Sequence, residues 1–157
     1  MVDETETSMD VGDQVPDFTA TLDSGETTTL SALLEGGPVV LFFYPKAFTG
    51  GCTAEACHFR DLAAEFAEAG AQRIGISRDD VDTQARFRDE HEFDYPLIAD
   101  PDGTIARIFG ARRMGPLWSK RQTFVIGTDR RLLGAIRSET DMERHADEAL
   151  ALVGDRV

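Results

Sequence analysis

Lysine is nearly missing from this chain. Only Lys46 and Lys120 occur, and 16 basic residues in all face 29 acidic ones, for a net charge of −13. So large a negative excess repels a phosphate backbone, which excludes nucleic acid as an expected partner. Long apolar runs are lacking too: none approaches the roughly 20 residues of a membrane span, so no membrane partner is expected. Met1 to Asp10 is acidic and polar, not basic and then apolar, and does not fit a secretory signal. These residues are read as a flexible acidic tail, and 11–157 as a single cytoplasmic domain. Cysteine is limited to Cys52 and Cys57. Two cysteines in a chain that reads as cytosolic point to catalysis rather than to a structural staple. With 157 residues and 41% hydrophobic content, the chain can bury most of its unfolded surface around one core.

The acidity itself carries an expectation. Self-repulsion opposes compaction unless counterions screen it. A surface this acidic and poor in lysine resembles those of proteins from salt-loaded cytoplasms, so stability should rise with salt; the alternative is a merely acidic protein.

Hydrophobic periodicity and turn residues predict the elements. Asp17 to Leu30 alternates around Asp23-Ser24-Gly25-Glu26 as an N-terminal β-hairpin, with a helical turn over Ser31 to Leu34. Val39 to Tyr44 reads as a core strand, and Thr53 to Ala69 as a helix stopped by Gly70, with Ala56, Phe59, Ala63, Phe66 and Ala67 inward. Arg73 to Ser77 is a second core strand, and Asp80 to about His91 a helix whose start carries the capping acids Asp79 and Asp80. Leu97 to Ala99 is a short strand, followed by a turn and a helix closed by Gly110. Gln122 to Ile126 and Leu132 to Arg137 form a hairpin, and Thr140-x-x-Glu143 has the form of a capping box for a last helix burying Met142, Ala146, Ala149, Leu150 and Val153. Strands and helices in this order predict an α/β fold with a mixed central sheet flanked by helices.

Cys52 falls where the strand ending at Tyr44 turns through a Pro/Gly segment into a helix. Unpaired N–H groups and the positive end of the helix dipole favour a thiolate there. Acidity alone gains little, because a weaker base is a weaker nucleophile. Groups aimed at the reacting atoms must supply the rest: the Thr49 hydroxyl is one, and a cation from elsewhere is the stronger partner.

Pro45-x-x-x-Thr49-x-x-Cys52 resembles the active-site motif of the peroxiredoxins, thiol peroxidases on a thioredoxin-like fold. Cys57, followed by Phe59-Arg60-Asp61, resembles the bacterioferritin comigratory protein or Q-type branch. The likeness runs from about Val11 to Val153. It implies that Cys52 is the peroxidatic cysteine, Cys57 the resolving one, Arg121 the active-site arginine, and Glu55 the residue orienting that arginine. Pro45 shapes the turn and shields the thiolate. Hydroperoxide as substrate, a thioredoxin-like reductant and no cofactor are implied as well. Gly50 departs from the pattern, standing where many members have proline, and so does Gly127, where aspartate often follows the strand.

On a continuous helix, residues 52 and 57 lie about 7.5 Å apart along the axis and about 140° apart around it, so their Cα atoms are roughly 8 to 9 Å apart. That exceeds the roughly 7 Å limit for a disulfide, so the helix must open before the two can join. Other readings stand beside this one: a Cys52/Cys57/His58 metal-binding redox sensor, a thiol/disulfide oxidoreductase, or a holdase. His91 and His145 are expected on helix surfaces. Phe48, Met114, Pro116, Leu117 and Trp118 either wall an apolar approach or belong to a core or dimer surface; monomer and homodimer are both open.

Overall fold

A computed structural model describes residues 9–112 and 119–154. The tail expected over 1–10 lies outside them as far as residue 8, as does the apolar group at 113–118.

Five-residue β3 (Val39–Phe43) is wholly buried, as a strand covered on both faces must be. Around it a seven-stranded sheet runs in the order β2-β1-β5-β4-β3-β6-β7, with β1 at Thr19–Leu22, β2 at Thr27–Thr29, β4 at Gln72–Ser77, β5 at Leu97–Ala99, β6 at Gln122–Ile126 and β7 at Leu132–Arg137. The β3–β4 and β4–β5 pairs are parallel and the others antiparallel, which gives the expected mixed sheet with an N-terminal hairpin. The helices are α1 (Leu30–Leu33, continued by a 3-10 turn over Leu34–Gly36), α2 (Gly50–Asp61), α3 (Ala63–Glu68), α4 (Val81–His91), α5 (Thr104–Phe109) and α6 (Met142–Gly154).

The period-two alternation of the strands divides the interior into two cores. On one face Val39, Leu41, Phe43, Ile74, Ile76, Phe124 and Ile126 pack with Leu30, Ile105 and Phe109 of α1 and α5. On the other, Val40, Phe42, Tyr44, Leu97 and Val125 pack with residues of α2, α3, α4 and α6, among them Cys52, Phe59, Phe66, Phe87 and Ala149.

Three local expectations are corrected. The helix expected over Thr53 to Ala69 starts at Gly50 and bends at Leu62 (φ −95°, ψ 20°), dividing it into α2 and α3. The Arg73 Nη1 donates to the Phe59 carbonyl at 2.8 Å, and a side chain inserted into the helical ladder is a known cause of bending. The change of direction leaves Ala67 exposed instead of inward. At α6 the cap is Asp141, whose Oδ1 accepts from the Arg144 N–H at 3.2 Å; Thr140 is exposed. His145, expected at the surface, is 0% exposed. Asp80 caps α4 as expected, accepting from the Thr83 N–H at 2.8 Å.

Candidate active site

The β3 strand delivers the chain to the C-terminal edge of the sheet at Tyr44, and a turn over 45–49 leads into α2. Phe48 in this turn holds φ at +67°, a left-handed conformation that is costly for a bulky residue. Its ring is 43% exposed and meets Phe87 edge-on at 5.1 Å. A half-buried acid holds the turn against the sheet: Asp79 Oδ2 accepts from the Ala47 N–H at 2.8 Å and from the Ser77 hydroxyl at 2.6 Å. Sequence reasoning placed Asp79 with Asp80 at the start of α4 and missed this bond. Half-buried Pro45 opens the turn, and Thr49 occupies the N-cap position of α2 without making a side-chain cap. The Thr49 hydroxyl instead donates to the Lys46 carbonyl at 2.8 Å.

Cys52 therefore sits in the first turn of α2, fully buried. Antiparallel pairing of β3 with β6 sets Phe43 opposite Gln122, so Arg121 emerges beside the end of β3. Its guanidinium reaches three partners: Nη2 lies 3.4 Å from Cys52 Sγ, Nη1 lies 2.7 Å from Glu55 Oε1, and Nε lies 3.3 Å from the Glu139 carbonyl oxygen. A Cβ at Gly51 would meet Arg121 Nη2 at 3.2 Å and Met142 Cε at 3.0 Å, so a glycine there lets the guanidinium approach the helix mouth.

Burial and charge oppose one another in this cluster. Glu55 is fully buried, and loss of hydration pushes its carboxyl up to about 8 even though Arg121 pulls the other way. For Arg121, loss of hydration lowers the affinity for its proton, but Glu55 and Cys52 more than compensate and hold it firmly cationic. Glu55 Oε2 is buried without a hydrogen-bond partner. It lies 3.7 Å from Nδ1 of buried His145, a residue that sequence reasoning did not assign to the site. The available signal was position: His145 stands four residues before Ala149 on the apolar stripe of α6.

Cys57 lies farther along α2, half-buried, and burial pushes its thiol up. Neither cysteine is in a disulfide. Since α2 runs unbroken through both, the helical separation of roughly 8 to 9 Å between their Cα atoms applies. His58 Nε2 is bonded to Asp147 of α6 at 2.8 Å, and among the described residues no three His, Cys, Asp or Glu side chains are grouped to hold a metal ion. Nor is any described helix long and apolar enough to cross a membrane.

Known proteins resemble this chain along most of its length. Residues 11–134 match the AhpC/TSA family. A putative peroxiredoxin of Mycobacterium tuberculosis is 56% identical over 146 residues, covering 91% of this chain and 95% of its own. The peroxiredoxin Bcp of Bacillus subtilis is 34% identical over 154 residues, covering 94% and 97%. Among solved structures, peroxidoxin BcpB of M. tuberculosis superposes with a TM-score of 0.89 at 55% identity, over 92% of this chain and 96% of that one. The bacterioferritin comigratory protein of Xanthomonas campestris, described for its alkyl peroxide reduction activity, superposes with a TM-score of 0.83 at 32% identity, over 94% and 99%.

Proposed function

Since the chain belongs to the AhpC/TSA family, and is a thiol peroxidase of the Bcp/Q-type peroxiredoxins on a thioredoxin-like fold, we propose that Cys52 is its peroxidatic sulfur and Cys57 its resolving one. The observation that carries this reading is the 3.4 Å contact between Arg121 Nη2 and Cys52 Sγ, both residues being buried. A guanidinium so placed stabilises the thiolate, and its fork is shaped to hold a peroxide oxygen beside the sulfur. The thiolate attacks one peroxide oxygen, the O–O bond breaks, and its electron pair leaves with the other oxygen, which takes a proton to become water or an alcohol. Cys52 is left as sulfenic acid.

Thr49 has a defined part in this step. Its one proton is committed to the Lys46 carbonyl, so its oxygen offers lone pairs and accepts a hydrogen bond from the peroxide O–H. Glu55 fixes Arg121 through Nη1. Pro45 and Phe48 flank the turn and limit water at the sulfur. Cys57 then condenses with the sulfenic acid, releasing water and forming the Cys52–Cys57 disulfide. The first turns of α2 must unwind for this to happen, and a thioredoxin-like dithiol restores both thiols. Hydrogen peroxide and organic hydroperoxides are the proposed substrates, the latter supported by the activity described for the X. campestris relative. The acidic, lysine-poor surface is proposed to suit a salt-rich cytoplasm.

Stopped-flow mixing of reduced protein with peroxide, followed by Trp118 fluorescence, tests the reading. A fast change in the wild type that is lost in Cys52→Ser supports it, and a change that survives in the mutant refutes it. Mass spectrometry of the oxidised protein should recover an intramolecular Cys52–Cys57 disulfide; finding only interchain disulfides would reject the resolving step.

A further inference from the structure

The buried group behind Arg121 is larger than the peroxidase step described above uses. His145 Nε2 lies 2.7 Å from the Ser138 carbonyl, which can only accept, so Nε2 carries a proton. Nδ1 lies 2.7 Å from Thr123 Oγ1 and, in a neutral ring, accepts from that hydroxyl. Any second proton on the imidazole therefore goes to Nδ1. On Glu55, Oε1 accepts from Arg121, so a carboxyl proton belongs on Oε2, the oxygen without a hydrogen-bond partner. The two open proton positions, Oε2 and Nδ1, face each other across 3.7 Å with both side chains 0% exposed.

Charge bookkeeping in a buried site says when one of them is filled. With Cys52 as thiolate, Arg121 cationic and both positions empty, the cluster carries one uncompensated negative charge, which is costly away from water. One proton on the pair removes it. With Cys52 as neutral sulfenic acid, the Arg121 and Glu55 charges already cancel and the proton is surplus. We propose that Glu55 and His145 share one proton while Cys52 is a thiolate and give it up as Cys52 is oxidised, which makes His145 a positioning residue of the peroxidase site.

The balance closes without solvent: thiolate, hydrogen peroxide and the stored proton yield sulfenic acid and water. The proton that the pair surrenders offsets the one taken by the leaving oxygen. Thr123 faces the pair from β6 and Arg121 from just before it, Cys52 from α2, Tyr95 from beyond α2, Ser138 and Glu139 from the β7–α6 loop, and Arg144 from α6 itself. Arg121 and Arg144 disfavour a charged imidazole and Glu139 favours it, so burial leaves His145 a poorer base than usual and moves the shared proton toward Glu55. A carboxyl pushed up to about 8 holds that proton at neutral pH.

The inference rests on Cys52 being the reacting sulfur, and the test separates the two. Cys57→Ser stops the cycle at sulfenic acid. It is mixed with hydrogen peroxide in weak buffer with a pH-indicator dye, and the sulfenic acid on Cys52 is counted by mass spectrometry. Net proton uptake per sulfenic acid should be near zero at pH 7 and climb toward one as pH passes about 8. Adding His145→Asn should shift that rise downward by about one pH unit, a tenfold loss of proton affinity. A merely structural histidine would change rates and leave the stoichiometry in place. Uptake of one proton at every pH, or an unmoved rise in the variant, overturns the inference while leaving Cys52 as nucleophile. Absence of sulfenic acid on Cys52 overturns the nucleophile itself. Should His145→Asn fail to fold, carbon-13 NMR of the Glu55 carboxyl in Cys57→Ser decides: it should lose a proton at pH 7 on oxidation, and an unchanged carboxyl refutes the stored proton.

Discussion

The two faces of one sheet have been put to different uses. Beneath α1 and α5 the core is hydrocarbon: Phe18, Phe43, Phe109 and Phe124 meet ring to ring, with Phe109 and Phe124 centroids 4.7 Å apart. Beneath α2, α4 and α6 the core is as well buried, yet it holds Cys52, Glu55, Gln84, Arg121, Thr123 and His145. Each polar group there must be matched or it is costly, and it is on this face that the proposed chemistry lies. A strand crossing both cores serves each in turn: Phe124 points into the first, while Thr123 and Val125 point into the second.

Substitutions on the two faces should separate accordingly. Phe109→Ala, on the hydrocarbon face, should lower unfolding free energy by about 3–5 kcal/mol while turnover per folded molecule holds; a large loss of turnover would dissolve the contrast. Arg121→Lys, on the reactive face, should reduce the rate of peroxide reaction by about 10²- to 10³-fold, read by stopped-flow, because a point charge cannot bond sulfur, carboxylate and peroxide together. Wild-type rates in that variant would remove Arg121 from the reaction.

The pH dependence of stability sharpens the contrast. Glu55 binds its proton more tightly folded, at about 8, than at its ordinary 4.5, so its contribution is full below pH 4.5 and is lost as pH rises toward 8. Glu55→Gln lacks this loss. Denaturant titrations should therefore show the wild type losing about 3 kcal/mol relative to the variant between pH 4.5 and 7. A constant difference would mean that the carboxyl is not held up by burial. Tyr95→Phe removes the 2.7 Å bond from the Tyr95 hydroxyl to the Ala56 carbonyl, and should cost about 1 kcal/mol while speeding disulfide formation after oxidation. The smallest effect concerns neither face: raising salt from low to molar should stabilise a chain of net charge −13, and no rise would reduce its acidity to mere composition.

Much of the architecture was legible because strand and helix periods are strong signals: β5 was expected at Leu97 to Ala99 and β6 at Gln122 to Ile126, and both are found there. The bend at Leu62 was not legible, because its cause is an arginine from β4 reaching a carbonyl distant in sequence. Asp79 was read as a helix-start acid, since local pattern cannot reveal a bond to Ala47. His145 looked like a surface residue because a lone polar residue on an amphipathic helix usually is. Its burial follows from Thr123, the Ser138 carbonyl and Glu55, which only the tertiary fold gathers.

The joint at Leu62 sets how far a rearrangement of the cysteine helix can spread. Downstream of Cys57, the Phe59 carbonyl is moored by Arg73, and the Arg60 guanidinium grips the His91 carbonyl at 2.8 Å. Unravelling that begins at Gly50 therefore meets anchorage before it reaches α3, like a seam stitched partway along. If Cys57 resolves Cys52 as proposed, Phe66 keeps its seat in the core, and the reactive segment opens and re-forms on each turnover without approaching global unfolding.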